Sequence, residues 1–170
     1  MRPGDENRVS SAVRGEAAMK IIFHCLWMKN GAVPSKVFKS KETASLLEGY
    51  AGRIAKFAPC EVRGRPLPAE FKSGVKMIWW CDRAPRARGL ASEETARLME
   101  RCSHASVQEL RIFIGGPDGF SEQDERDFPP ALRWSFGPLT LPHELACVVA
   151  AEQIYRAWTL LKGHPYHGGH

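Results

Sequence analysis

Three short apolar runs constrain this chain more than anything else in it. They are Lys20–Met28 (KIIFHCLWM), Lys76–Asp82 (KMIWWCD) and Leu110–Ile114 (LRIFI). Each is too short to make a helix of useful length, and each is apolar along its length rather than at alternate positions. That pattern predicts strands covered on both faces, the condition of a parallel sheet between other layers. The stretches between them carry helical spacing. From Glu42 to Phe57, apolar residues recur at three- and four-residue steps (Leu46, Leu47, Tyr50, Ile54, Phe57), and Pro59 ends the pattern. Ser92 is suited to cap a helix running to about Cys102.

The remaining elements are punctuated by their breakers. Lys29–Lys41 reads as a basic loop with Gly31 and Pro34, Cys60–Arg63 as a brief strand, and Arg65–Gly74 as a connector holding two prolines. Arg83–Gly89 is a basic turn. Ser121 caps a short acidic helix that Pro129 and Pro130 interrupt, and Arg133–Phe136 is a further strand. Pro142 sits in the first turn of a long helix that runs to about Leu161 and stops at Gly163. Strands alternating with helices predict an α/β fold with a mostly parallel sheet. Ligands of such sheets bind at the carboxyl ends of strands. Those ends are Cys81–Asp82, Gly115–Gly116 and Phe136–Leu141, so three loops are expected to converge on one rim.

An apolar fraction of 44% fits a folded chain of 170 residues with a core of its own. No apolar run is long enough to span a bilayer, and the polar stretch 1–18 lacks the apolar segment of a signal peptide. The expected location is the cytoplasm, with 1–18 a disordered extension and 19–170 the folded domain. Five cysteines without a CxxC pair indicate neither a zinc site nor a disulfide framework. Net charge is +5, and it is concentrated: Lys20–Arg65 holds nine basic residues against three acidic ones. A face of that kind suits a polyanion such as RNA.

Two loops and a tail carry the chemistry. IGGPDG places Gly115 and Gly116 directly after a strand, where the backbone turns tightly and approaches a ligand closely. It is neither the dinucleotide fingerprint nor a P-loop; a tight turn without a ligand is the competing reading. FGPLTLP (Phe136–Pro142) has no ionisable group, although it joins a strand to a helix. Such a loop offers backbone donors and acceptors in apolar surroundings, as a flat ring like adenine requires; a loop buried in the core or a dimer contact would look the same. The helix that follows is polar only on a stripe about 120° wide (Glu144, Glu152, Arg156, Lys162). It needs cover on more than one face, from a second copy or from within the chain. The tail holds His164, Tyr166, His167 and His170 without a supporting Cys or carboxylate, so it is read as proton-transfer or hydrogen-bonding groups rather than a metal site.

Taken together, LRIFIGGPDGF, WSFGPLTLPHELA, AEQIYRAW and GHPYH resemble, in order and spacing, the RlmH family (ribosomal large-subunit methyltransferase H), small SPOUT-class methyltransferases. MKIIFHCLW, LLEGYAGRIAKFAPCEV and MIWWCDRAPRARGLASEE extend the resemblance more weakly upstream, so that it spans Met19–His167. It implies an α/β fold whose C-terminal part is threaded into a deep trefoil knot, a homodimer, and S-adenosyl-L-methionine (SAM) as methyl donor. The implied reaction is methylation of N3 of a pseudouridine in 23S rRNA of the assembled 70S ribosome. By position, the implied cofactor contacts are Cys81, Gly115, Phe136, Gly137, Pro138, Leu139, Thr140 and Leu141, with Gly116 supporting the turn. Tyr166, His167 and Arg156 are the implied candidates for helping the imide proton leave. The chain departs from the family at three places. Gly168, Gly169 and His170 follow PYH where a cation is usual, only RGRPLPAEFKSGVK stands where a charged helix is usual, and residues precede Met19. Two other readings stay open: a SPOUT methyltransferase with another RNA target, and a catalytically weak ribosome-binding module.

Overall fold

Every strand pairing in the computed structural model, which describes residues 18–166, is parallel. In chain order the elements are β1 (Lys20–Cys25), α1 (Pro34–Val37), α2 (Lys41–Ile54), β2 (Cys60–Arg63), β3 (Lys76–Cys81), β4 (Arg88–Gly89), α3 (Ser92–His104), β5 (Glu109–Ile114), α4 (Glu122–Asp127), β6 (Leu132–Ser135) and α5 (His143–Leu161). The sheet order is β2-β1-β5-β3-β6-β4. The three predicted apolar runs form its centre, and β5 lies between the other two, with Cys25, Ile114 and Cys81 in register at the carboxyl rim. This parallel α/β sheet is the expected fold class. Residues 1–17 and 167–170 are outside the described residues, so the expectations for the N-terminal extension and for His167 and His170 lie there too.

One face of the sheet carries the main core. Ile21, Phe23, Trp79, Ile112, Ile114 and Trp134 point into it and meet Leu47 and Ile54 of α2, Met99 of α3, and Ile154 and Trp158 of α5. Each such side chain contributes roughly 1.5–3 kcal/mol on burial. α5 packs on α2 and α3 and against β1 and β5. Much of its apolar circumference is thus covered within the chain, while Leu145 stays 40% exposed. On the other face Leu26, Trp80, Phe113 and Phe128 form a smaller cluster, roofed by Phe71 and Phe120.

That second face buries two polar side chains on neighbouring strands. His24 is fully buried. Its Nδ1 donates to the Gly64 carbonyl at 2.8 Å, and its Nε2 accepts from Arg111 Nη1 at 3.1 Å. Arg111 is also buried, pairs with Glu109 and Glu70, and lies over the Phe71 ring. Burial, with the Arg111 charge beside it, lowers the His24 pKa to about 4, against the pull of the Gly64 hydrogen bond. The ring is therefore neutral at pH 7. Gly64 has no alternative here, because a Cβ would sit 2.1 Å from the Lys29 carbonyl oxygen.

Several local expectations are corrected. The N-cap of α3 is Ala91, not Ser92; the Ser92 hydroxyl donates to Gln153 Oε1 of α5 at 3.1 Å and so joins two helices instead of closing one. Pro142 is the N-cap of α5 rather than a residue of its first turn, and its carbonyl accepts the first intrahelical bond from Ala146 N–H. The first strand ends at Cys25, three residues short of Met28. Three elements were absent from the sequence reading: β4 inside the basic turn, α1 inside the basic loop, and a single 3-10 turn, Pro68–Phe71, inside the connector. The Ser121 cap is present, with its hydroxyl accepting from Asp124 N–H and Asp124 reciprocating.

Candidate active site

The carboxyl ends of β3, β5 and β6 open into a cleft of about 750 Å³, within the range of small-molecule sites. Three chain segments and the start of α5 wall it. They are Cys81–Ala84, Ile114–Phe120, the loop after β6, and Pro142, His143 and Ala146.

The glycine wall is shaped by its own backbone. Gly119 N–H donates to the Gly116 carbonyl at 2.9 Å, and Gly119 has φ +74°. Pro117 and Asp118 occupy the middle of this turn, positions that favour them. A Cβ on Gly115 would stand 3.0 Å from the Gly119 backbone, and one on Gly116 would crowd Trp27. A side chain at Gly115 would thus press on the turn's own backbone, and one at Gly116 on the neighbouring Trp27.

The apolar wall is the loop Phe136–Leu141. Gly137 turns the chain with φ +98°, and the Ser135 hydroxyl accepts from its N–H at 3.1 Å. Beyond it, the N–H groups of Leu139, Thr140 and Leu141 have no hydrogen-bond acceptor among the described residues. The Leu139 side chain is 71% exposed. Free backbone donors beside uncovered apolar surface are what a flat hydrogen-bonding ring would satisfy.

The third wall is pinned by charge. Asp82 Oδ1 accepts from Arg83 N–H (2.7 Å) and Ala84 N–H (3.2 Å), while Oδ2 takes Arg133 Nη1 at 2.9 Å. Arg83 Nη1 reaches across to the Thr140 hydroxyl at 2.6 Å. Beside it, burial and then the Asp82 carboxylate push the Cys81 thiol well above its usual range. The deeper Cys147 thiol, 3.4 Å from Cys25 Sγ, is raised by burial too. The cleft's thiol is therefore protonated at neutral pH.

Of the residues expected to hold the cofactor, Cys81, Gly115, Gly116, Phe136, Gly137, Leu139, Thr140 and Leu141 line this cleft. Pro138 stands exposed in the same loop but does not line it. Sequence reasoning missed Arg83, Asp118 and His143. Arg83 directly follows the Cys81–Asp82 strand end and was passed over as one cation in a basic turn. His143, whose ring meets Trp27 edge-on at 4.4 Å, is the one imidazole among the described lining residues.

The expected proton-transfer residues stand elsewhere. Arg156 is on α5, ten residues or about 15 Å beyond Ala146, and pairs with Glu152 at 2.6 Å. Tyr166 donates to the same carboxylate at 3.2 Å and packs against Tyr155. Burial, with Tyr50 and Glu152 beside it, pushes the Tyr166 phenol up to about 12. It is a neutral hydrogen-bond donor at pH 7. Among the described residues, no group of three or more His, Cys, Asp and Glu could hold a metal ion, and no helix is long and apolar enough to cross a membrane.

A parallel sheet with a cleft of this kind at its carboxyl rim belongs to a known class. Residues 35–167 match the family described as predicted SPOUT methyltransferase, and the chain belongs to that family. Within it, the chain is 34% identical over 137 residues to ribosomal RNA large subunit methyltransferase H of Acidithiobacillus ferrooxidans, an alignment covering 71% of this chain and 84% of the relative. It is 47% identical over 77 residues to the protein of the same name from Hahella chejuensis, covering 45% and 47% of the two chains. A probable methyltransferase from Bordetella pertussis Tohama I shares the fold, with a TM-score of 0.52 over 83% of this chain and 96% of that one at 13% identity. The chain is a methyltransferase by family.

Proposed function

We propose that this chain methylates N3 of a pseudouridine in 23S rRNA of the assembled 70S ribosome, using SAM and acting as a homodimer in the cytoplasm. The observation that carries the reading is the cleft: an apolar loop with unspent backbone donors, facing a glycine turn, in a chain similar along most of its length to a ribosomal RNA large subunit methyltransferase. SAM supplies an electrophilic methyl group on a sulfonium. The residues that would hold it are Gly115, Gly137, Leu139, Thr140 and Leu141, with Cys81 at the floor. Burial keeps the Cys81 thiol protonated, so the protein does not compete with the RNA for the methyl group.

The imide N–H of the target is a poor nucleophile until its proton leaves, so a proton acceptor must stand at the acceptor side of the cleft. Tyr166 is held neutral and serves as a donor that orients its surroundings. Arg156, on α5, and Tyr166, beyond its end, lie too far from the cleft of their own chain, so they act on the cleft of the second copy. Since a guanidinium has no acceptor and Tyr166 stays protonated, the His167 imidazole is the group of the three that takes the imide proton. The knot is part of the same reading. β6 is inserted between β3 and β4, which are consecutive in the chain, so residues 82–87 bridge its carboxyl end. A chain leaving β6 beneath that bridge toward the helical face is threaded. The basic stretch from Lys20 to Arg65 holds RNA backbone, since phosphate contacts orient more than they specify.

The test is incubation with labelled SAM and ribosomes lacking the modification, with the modified base located by mass spectrometry. Label at a single 23S pseudouridine N3 is expected. Failure to incorporate label under saturating SAM overturns the enzyme reading, and label on free RNA but not on 70S particles assigns a different target.

A further inference from the structure

The cleft mouth carries two charges that the fold does not use. Every other guanidinium around this rim is spent on a carboxylate. Arg86 pairs with Glu125 at 3.1 Å, Arg88 with Glu94 at 3.6 Å, and Arg133 with both Asp82 and Glu125. Arg83 has no carboxylate partner among the described residues, and its one side-chain bond is to the neutral Thr140 hydroxyl. Its backbone is nonetheless fixed, because Asp82 accepts from Arg83 N–H and Ala84 N–H while itself held by Arg133 and by the Trp134 carbonyl. A planar fork of donors on a rigid base suits a carboxylate. Asp118, at the exposed tip of the Gly116–Gly119 turn, is the second charge. It lines the same cleft and makes no hydrogen bond or ion pair among the described residues.

From these two unpaired, opposite charges on two rigid walls of one cleft, we infer that Arg83 and Asp118 form a receptor for a zwitterion, an α-amino acid arm whose carboxylate meets Arg83 and whose ammonium meets Asp118. This rests on the methyl-donor reading, since the donor is a nucleoside carrying such an arm. It makes Arg83 a specificity-determining residue, one that separates nucleosides bearing an aminoacyl arm from those without it. The Thr140 contact keeps the guanidinium parked over the apolar loop until the carboxylate arrives.

The test is calorimetric titration of the full chain with three nucleosides: SAM, S-adenosylhomocysteine, which keeps the arm, and 5′-methylthioadenosine, which lacks it. Arg83→Ala is expected to weaken the first two by about tenfold or more, the scale of one charge-assisted hydrogen bond. It should leave 5′-methylthioadenosine unchanged. Asp118→Asn is expected to show the same selectivity with a smaller loss, and Arg88→Ala, whose partner is Glu94, none. Equal weakening of all three ligands by Arg83→Ala would mean that Arg83 only braces the Thr140 loop, and the inference fails. It fails as well if the three affinities stay unchanged while the KM for ribosomes rises, which would assign Arg83 to an RNA phosphate. A wild-type chain that binds none of the three overturns the methyl-donor reading itself, a result separable from the variant's behaviour.

Discussion

His24 shows how much one side chain in an apolar run decides. Its neighbours in β1 are apolar, so its sequence context reads as plain core, yet its ring makes two hydrogen bonds and must stay neutral to make both. Linkage gives the sign. The folded pKa of about 4 lies below the unfolded value of 6.5, so the unfolded chain binds the proton first as pH falls. Stability is whole above pH 6.5 and is lost progressively toward pH 4, by up to roughly 3 kcal/mol. The urea midpoint of the wild-type chain should therefore drop through that window. His24→Gln, which has no proton to gain, should be less stable at pH 7 but distinctly flatter between pH 6.5 and 4. An equally steep variant would show that another group carries the acid sensitivity. At this scale the sequence was partly legible. Gly115 and Gly116 announced their turn because two glycines after a strand have few other uses. Gly64 announced nothing, since what it avoids is a carbonyl thirty-five residues earlier in the chain.

At the scale of elements, legibility followed burial. β1, β3 and β5 are covered on both faces, and continuous apolar composition reports that directly. β4 is two exposed residues, Arg88 and Gly89, made a strand only by pairing with β6. No local pattern could have revealed it. The loop after β6 was legible for a different reason: a strand-to-helix connection without one ionisable group is unusual enough to need a ligand, a partner or a core. Its hinge is Gly137, whose φ of +98° no other residue adopts without strain. Gly137→Ala should leave the sheet and its unfolding midpoint nearly intact, because the loop is exposed. SAM affinity should fall by roughly tenfold or more, from about 1–3 kcal/mol of strain placed on the loop. Unchanged affinity would mean that the loop's conformation is not what the ligand recognises.

The whole molecule separates two groups of candidate residues along α5. The cleft stands at the amino end of that helix, Arg156 toward its far end and Tyr166 just beyond it; in the homodimer proposed above, each copy lends these residues to the other. At SAM concentrations too low to fill the altered cleft, mixing a chain weakened there by Gly137→Ala with one weakened in the tail by Tyr166→Phe should then raise methyl transfer beyond the sum of the two alone. Strictly additive activity would place tail and cleft in one chain's service. That separation was hidden in the sequence, where the glycine turn, the apolar loop and the tail lie within sixty residues and read as one site.

The strand order has a consequence for synthesis. Because every pairing is parallel, no two strands can close through a tight hairpin, and each contact waits for a crossover to be made. β1 pairs with β2 early, but β3 has no neighbour until β5 has left the ribosome, since β5 is what joins the two halves. β6 must then enter between two strands made long before it. The nascent chain thus keeps its largest aromatic residues, Trp79 and Trp80 among them, without a finished sheet until the last third is translated. Its growing end is the keystone, and early termination anywhere before β6 would release a chain with an open seam instead of a shorter working enzyme.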